Sequence, residues 1–168
     1  MVVPSRRGTA SDDLPLPATS YRVSALVSGY HDVVVALDFS PVSRRVLENA
    51  LQVTDPTGTV HLLHVIEWVP TVVEGALAGY ANPRDMRALH DASAAKLSSL
   101  AELCGAVRTT TDAVEGNAAL SILEAADRFK ADLLVIGTQG RSRMSRLVMG
   151  RVMERILRQA QCPVLVVR

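Results

Sequence analysis

The chain is poor in cysteine. Among 168 residues there are two, Cys104 and Cys162. Both lie in apolar surroundings and at no metal-ligand spacing, so they read as small buried hydrophobes of a reducing cytoplasm rather than as a disulfide. Charge of one sign is also lacking. Eighteen Lys and Arg against seventeen Asp and Glu leave a formal net charge of +1, which gives no global pull toward nucleic acid or a membrane surface. No apolar run approaches the ~18–20 residues that span a bilayer. Arg6 and Arg7 are followed by Asp12, Asp13, Pro15 and Pro17 instead of an apolar core, so no signal peptide is expected. The four histidines make no H-x-x-x-H or C-x-x-C pattern, and no metal site is expected from them. Three nucleophile or phosphate motifs are missing as well: the G-x-G-x-x-G fingerprint after the first strand, the P-loop, and the G-x-S-x-G elbow.

What is present is a 48% apolar chain, long enough for one domain with a real core. Residues 1–31 are rich in Ser, Pro, Thr and Arg and read as a largely irregular extension, with strand-like alternation only over Tyr21 to Val27. The domain is expected over 32–168. Val33 to Leu37 is a continuous apolar run ending in Asp38, a strand buried on both faces. Ser40-Pro41 is placed to open a helix as N-cap and first residue, with Val42, Val46, Ala50 and Val53 on its inner face. Val60 to Ile66 is a second buried strand, and Trp68 to Asn82 a long loop. Met86, Leu89, Ser93, Leu97, Leu100 and Leu103 mark a helix. Val107 to Val114 reads as a strand nearer an edge. Gly116-Asn117 caps a helix with Ala119, Ile122, Leu123, Ala126 and Phe129 inside. Asp132 to Ile136 is a strand, about Met149 to Ala160 a helix, and Val164 to Val167 the last strand. Strict alternation predicts a doubly wound five-stranded parallel sheet with helices on both faces, in the order 3-2-1-4-5.

The chemistry concentrates near the C-terminus. Gly137-Thr138-Gln139-Gly140 follows a strand, and Gly150 stands nine residues later at the start of a helix. Glycine lets backbone N–H groups approach a ligand, and a helix N-terminus adds unpaired donors and a positive dipole end. The intervening loop carries Arg141, Arg143 and Arg146, with Arg151 just inside the helix, and no acid. Cations there are electrostatically misplaced unless an anion is bound; otherwise they are solvated, with Arg151 reaching Glu154. In open parallel sheets, ligands bind beyond the carboxyl ends of the strands where the order reverses. Asp38 and Gly137 both fall at such ends, an acid for ribose hydroxyls beside a loop for phosphates. His64, late in the second strand, reads as a buried, satisfied histidine more readily than as a base. Asp38 has no second carboxylate at a readable spacing, so a dedicated Mg²⁺ site is not indicated, and no catalytic residue is assigned.

These residues resemble the universal stress protein family, whose pattern before the last helix is G-x2-G-x9-G-[ST]. Gly137, Gly140 and Gly150 stand at that spacing. Asp38-Phe39-Ser40 resembles the end of the family's first strand, Leu62-Leu63-His64-Val65-Ile66 its second, and Cys162-Pro163-Val164-Leu165-Val166-Val167 its last. The resemblance covers about residues 32 to 168. It implies, for members that bind ATP, that Asp38 meets the ribose or adenine side, that Val65 meets adenine through its backbone, and that Gly137, Gly140, Gly150, Arg151 and Val152 cradle the phosphates, with Arg141 in the same loop. Arg151 departs from the pattern, which has Ser or Thr there. An arginine is itself a phosphate ligand, or its bulk fills the phosphate pocket.

The resemblance therefore implies a cytoplasmic regulatory protein that holds ATP or AMP, with at most slow hydrolysis. A second reading is a nucleotide-free dimeric module whose arginine loop contacts protein. A third, the related adenine-nucleotide hydrolases, lacks support: their S-G-G-x-D-S type loop is replaced here by Asp38-Phe39-Ser40-Pro41. The last strand, Val164 to Val167, is apolar and expected at a sheet edge, which is a liability unless paired. The family commonly pairs it with its twofold mate, so a homodimer is expected.

Overall fold

The computed structural model describes residues 29–67, 71–73, 76–78, 83–138 and 150–168. The first 28 residues of the expected extension, and Gly140 and Arg141 in the glycine loop, lie outside them.

In chain order the elements are β1 (Tyr30–Ala36), α1 (Ser43–Val53), β2 (Thr54–Ile66), β3 (Thr71–Val73), β4 (Ala76–Ala78), α2 (Pro83–Ala101), β5 (Arg108–Glu115), α3 (Ala118–Arg128), β6 (Leu133–Gly137), α4 (Arg151–Gln159) and β7 (Val164–Val167). Five strands form one sheet in the order β5-β2-β1-β6-β7, every neighbouring pair parallel. Counted along the chain, that is the expected 3-2-1-4-5 order.

Side chains alternate across a strand, and the core divides accordingly. Val33, Val35, Val60, Leu62, Leu133 and Val135 pack with Val46, Leu47 and Ala50 of α1 and Leu97 of α2. Val34, Leu63, Leu134 and Ile136 pack with Ala119, Ile122 and Ala125 of α3 and Met153 and Ile156 of α4. Helices thus cover both faces. At the amino end, Asp132 locks β6 to β1: its carboxylate accepts from the backbone N–H of His31 (2.8 Å) and of Asp32 (3.0 Å). Cys104 is buried and Cys162 half-buried, both as free thiols. No described helix is long and apolar enough to cross a membrane.

Four local expectations need correction. First, β2 begins at Thr54, not Val60. Pro56 and Gly58 sit inside an irregularity, where the register with β1 jumps from Tyr30↔Thr54 to Asp32↔Thr59. Asp55 folds that bulge by accepting from the N–H and hydroxyl of Thr57, which also lowers its own pKa. Second, the expected loop from Trp68 to Asn82 contains an antiparallel pair, Thr71↔Ala78 through Val73↔Ala76, in keeping with the β-branched run Thr71-Val72-Val73. Third, α1 starts at Ser43, and Val42 is its N-cap without a side-chain bond. Fourth, Leu89 and Leu103 are about half exposed, at 51% and 47%. From Asp85 to Ala92 no residue of α2 is buried, and burial begins at Ser93.

One buried polar residue carries no signal in the hydrophobic pattern. His61 is 7% exposed, shares a 2.8 Å hydrogen bond between Nδ1 and Thr110 Oγ1, and stacks on Phe129 with ring centroids 4.0 Å apart. Arg128 lies on the Phe129 ring and pairs with Asp112. Burial pulls the His61 pKa below its ordinary 6.5, Arg128 adds to that, and Asp32, 3.5 Å from Nε2, opposes it. A depressed histidine pKa means that the unfolded chain binds the proton more readily. The stability at stake is therefore complete above about pH 6.5 and is lost as pH falls through the lower folded value. Urea unfolding should show the wild type losing more stability between about pH 6.5 and 5 than His61→Gln does. Parallel pH profiles would contradict this.

Candidate functional site

The crossover from β6 through α4 to β7 runs up the sheet, down the helix and up again, so the α4 N-terminus lies at the carboxyl end of the strands. β1 and β6 are neighbours in register from Val33↔Leu133 to Ala36↔Ile136. Continuing one step brings Leu37 beside Gly137, and the next brings Asp38 beside Thr138. The acid and the first glycine of the motif therefore leave the sheet side by side, at the switch point between β1 and β6.

Asp38 is half-buried. Its Oδ1 accepts from Ser40 N–H and from Ser43 Oγ–H, each at 3.0 Å. The carboxylate thus shapes the turn into α1, a role that was expected of Ser40. Between them, Phe39 has φ of 58°, left-handed backbone that costs a non-glycine residue roughly 1–3 kcal/mol. Such strain persists where the surroundings over-determine it, and here they do. The Phe39 ring lies 4.1 Å from the imidazole of His64, and the Lys96 ammonium stands 5.1 Å above it.

His64 is 5% exposed, and its Nδ1 lies 2.6 Å from the Leu37 carbonyl oxygen. It is a buried, hydrogen-bonded histidine. The next residue, Val65, is half-buried. The Leu63 carbonyl accepts from Leu37 N–H, and the Ile66 carbonyl from Gly116 N–H. Main-chain groups in a parallel strand alternate sides, so odd residues of β2 face β1 and even ones face β5. Val65 therefore presents its N–H and C=O on the side where β1 has just ended.

The two described glycines of the motif are glycines for different reasons. A Cβ on Gly137 would meet Val46 Cγ2 at 3.3 Å, so this position serves the close packing of α1 on the sheet. A Cβ on Gly150 would meet no atom of the described residues within 4 Å, and its φ of −63° suits any residue. Nothing in the described fold requires glycine at 150, which leaves room for a partner outside the chain's own atoms.

Two of the helix starts at this end of the sheet also differ. At α3, Asn117 Oδ1 accepts from Leu120 N–H and Glu67 Oε1 from Ala118 N–H, both at 3.2 Å. At α4, Gly150 is the N-cap and, among the described residues, no side chain caps the first turn. Helical geometry leaves the N–H groups of Arg151, Val152 and Met153 without intrahelical acceptors. Arg151 and Val152 are exposed. Glu154 pairs with Arg158 at 3.0 Å, not with Arg151. Among the described residues no three His, Cys, Asp or Glu side chains gather into a metal-binding group.

A model of the universal stress protein family matches residues 29–168. The chain belongs to the universal stress protein family. A universal stress protein of Methanocaldococcus jannaschii is 32% identical over 146 residues, covering 83% of this chain and 82% of that protein. Universal stress protein A homolog 1 of Coxiella burnetii is 28% identical over 142 residues, covering 82% of this chain and 96% of its own. Among solved structures, a universal stress protein in complex with cAMP superposes with a TM-score of 0.60 at 25% identity, over 84% of this chain and 98% of that one.

For this universal stress protein the two glycines make different predictions. Gly137→Ala should lower folding stability by about 1–3 kcal/mol, because Val46 has to give way. Gly150→Ala should cost less, about 0.5–1 kcal/mol, because the new methyl meets none of the described residues and only the N-cap preference for glycine over alanine is lost. Chemical denaturation of both variants checks the pair, and equal losses would contradict it.

Proposed function

We propose that this universal stress protein binds an adenine nucleotide, ATP or AMP, across the carboxyl ends of β2, β1 and β6, and acts as a regulatory protein of the stress response. The observation that carries the proposal is the start of α4. Among the described residues no side chain caps its first turn and none crowds the glycine it opens on, and it carries an exposed arginine where the dipole disfavours one. A phosphate at that position removes the electrostatic conflict and supplies acceptors for the turn's N–H groups. Asp38 and the main chain of Val65 stand on the neighbouring strands for the ribose and the base. Gly140 and Arg141 belong to the same proposed phosphate loop by sequence. The relative solved with cAMP supports the same ligand class.

Arg151 takes the place of the hydroxyl in the family pattern. In this reading it adds a charge-assisted hydrogen bond to phosphate, worth about 1.5–3 kcal/mol. Its exposure favours this over a side chain turned inward to block the site. Mass spectrometry of the purified, denatured protein should release adenine nucleotide. In calorimetric titrations with ATP and AMP, Arg151→Ser should bind no better than the wild type. A wild type that binds neither nucleotide, with a variant that does, would replace the proposal with occlusion.

The proposed assembly is a homodimer through Val164–Val167. β7 is an edge strand. Pro163 and Val167 carbonyls accept from Leu134 and Thr138, so odd residues face β6 and the main chain of Val164 and Val166 faces the open edge. The Val166 side chain packs inside, against the α3–α4 face, so Val166→Lys would damage the core as well as the edge. Val166→Pro is the cleaner test, since it removes an outward N–H and leaves the β6 ladder intact. Sedimentation should show a dimer for the wild type and an 18.0 kDa monomer for Val166→Pro. A wild-type monomer at micromolar concentration would refute the dimer.

A further inference from the structure

We infer that His64 is a positioning residue for the nucleotide site, fixing Asp38 from both sides; this rests on the reading of that site as the place where an adenine nucleotide binds. The juxtaposition is specific. Asp38 stands between Leu37 and Phe39, and His64 holds both. Its Nδ1 lies 2.6 Å from the Leu37 carbonyl, and its ring lies against the Phe39 ring with centroids 4.1 Å apart. A carbonyl can only accept, so Nδ1 carries the proton, and the ring's orientation is set by the last main-chain acceptor of the central strand.

The consequence follows from the backbone. Phe39 is held at φ 58°, a conformation its own side chain disfavours. The turn that brings Asp38 Oδ1 to Ser40 N–H and Ser43 Oγ–H depends on that conformation. Remove the His64 contacts, and Phe39 is released toward ordinary negative φ, which swings the Asp38 carboxylate and the start of α1. Val65, whose main chain faces the same space, is the residue next to His64. One buried imidazole thereby sets the geometry of both groups assigned to the ribose and base, without touching the ligand itself.

The test separates positioning from packing by a matched pair of variants. Asparagine carries an amide nitrogen on its γ-carbon, as histidine carries Nδ1, and keeps the hydrogen bond to Leu37; leucine fills the volume and loses it. AMP affinity by calorimetry should fall about tenfold or more in His64→Leu and clearly less in His64→Asn, which keeps the Leu37 bond and loses only the ring on Phe39. An affinity of His64→Leu within threefold of wild type, or an equal loss in both variants, would overturn the inference. A measurement without nucleotide stands beside it. ¹⁵N NMR of the free wild type should show the Nδ1–H tautomer of His64, and the amides of Asp38, Phe39 and Ser40 should shift in His64→Leu. An Nε2–H tautomer or unmoved amides would overturn the positioning role even if nucleotide binds. Shifted amides in a protein that binds no nucleotide would uphold positioning of the turn and refute the nucleotide reading instead.

Discussion

Val33, Val34 and Val35 have no exposed surface. Three consecutive residues of a strand point to alternate faces, so burying all of them requires a helical layer on each side of the sheet and a strand on each edge of β1. At about 1.5–3 kcal/mol for each such side chain, no exposed or edge position for β1 competes. With β1 central and in register with β2 and β6, the residue after its last hydrogen bond is fixed in space. That residue is Asp38. Its neighbours across the two strand ends are Val65 and Thr138, and the helix returning from β6 begins over the same opening. The candidate site follows from where the central strand has to lie.

The carboxyl end of the sheet is finished unevenly. α3 closes its first turn with its own Asn117 and with Glu67 from the end of β2. The turn into α1 is closed by Asp38. α4 opens on a glycine and an exposed arginine. In a helix that needed nothing from outside, a Ser, Asn or Asp cap would contribute a few tenths of a kcal/mol more than glycine at that position, and an arginine there works against the dipole. Both choices lower the stability of the chain alone, and both suit an anion. Local conflicts of this kind between folding and the sequence are expected at functional positions.

Much of the fold is legible in the sequence where burial is two-sided. Val33 to Leu37, Leu133 to Ile136 and Val164 to Val167 are continuous apolar runs, and their alternation with helices specifies the sheet order. What the pattern hides is local. Pro56 and Gly58 read as the end of an element but form a bulge within β2, because punctuation residues serve bulges as well as loops. Ser40-Pro41 has the look of a helix start, yet the acid two residues earlier organises the turn and α1 begins at Ser43. Leu89 fits the helical face of α2, but from Arg87 to Ala92 that face is exposed. His61 and the left-handed Phe39 leave no trace in hydrophobic periodicity, since each depends on contacts between distant strands and helices. For the candidate site, the spacing of Gly137 and Gly150 was readable, but their different reasons were not. Gly137 is explained by Val46 from another element, whereas a side chain at 150 would meet none of the described residues.

The central claim is that the start of α4, with Asp38 and Val65, receives an adenine nucleotide. The most direct measurement is a ¹H–¹⁵N NMR titration of the full chain with AMP. The account predicts saturable shifts of the Arg151 and Val152 amides together with those of Asp38 to Ser40 and Val65, while amides at the opposite end of the sheet, such as Asp132 and Cys162, stay in place. Saturable binding that moves the opposite end and leaves Arg151 and Val152 unchanged, or no shift at millimolar AMP and ATP, would contradict it.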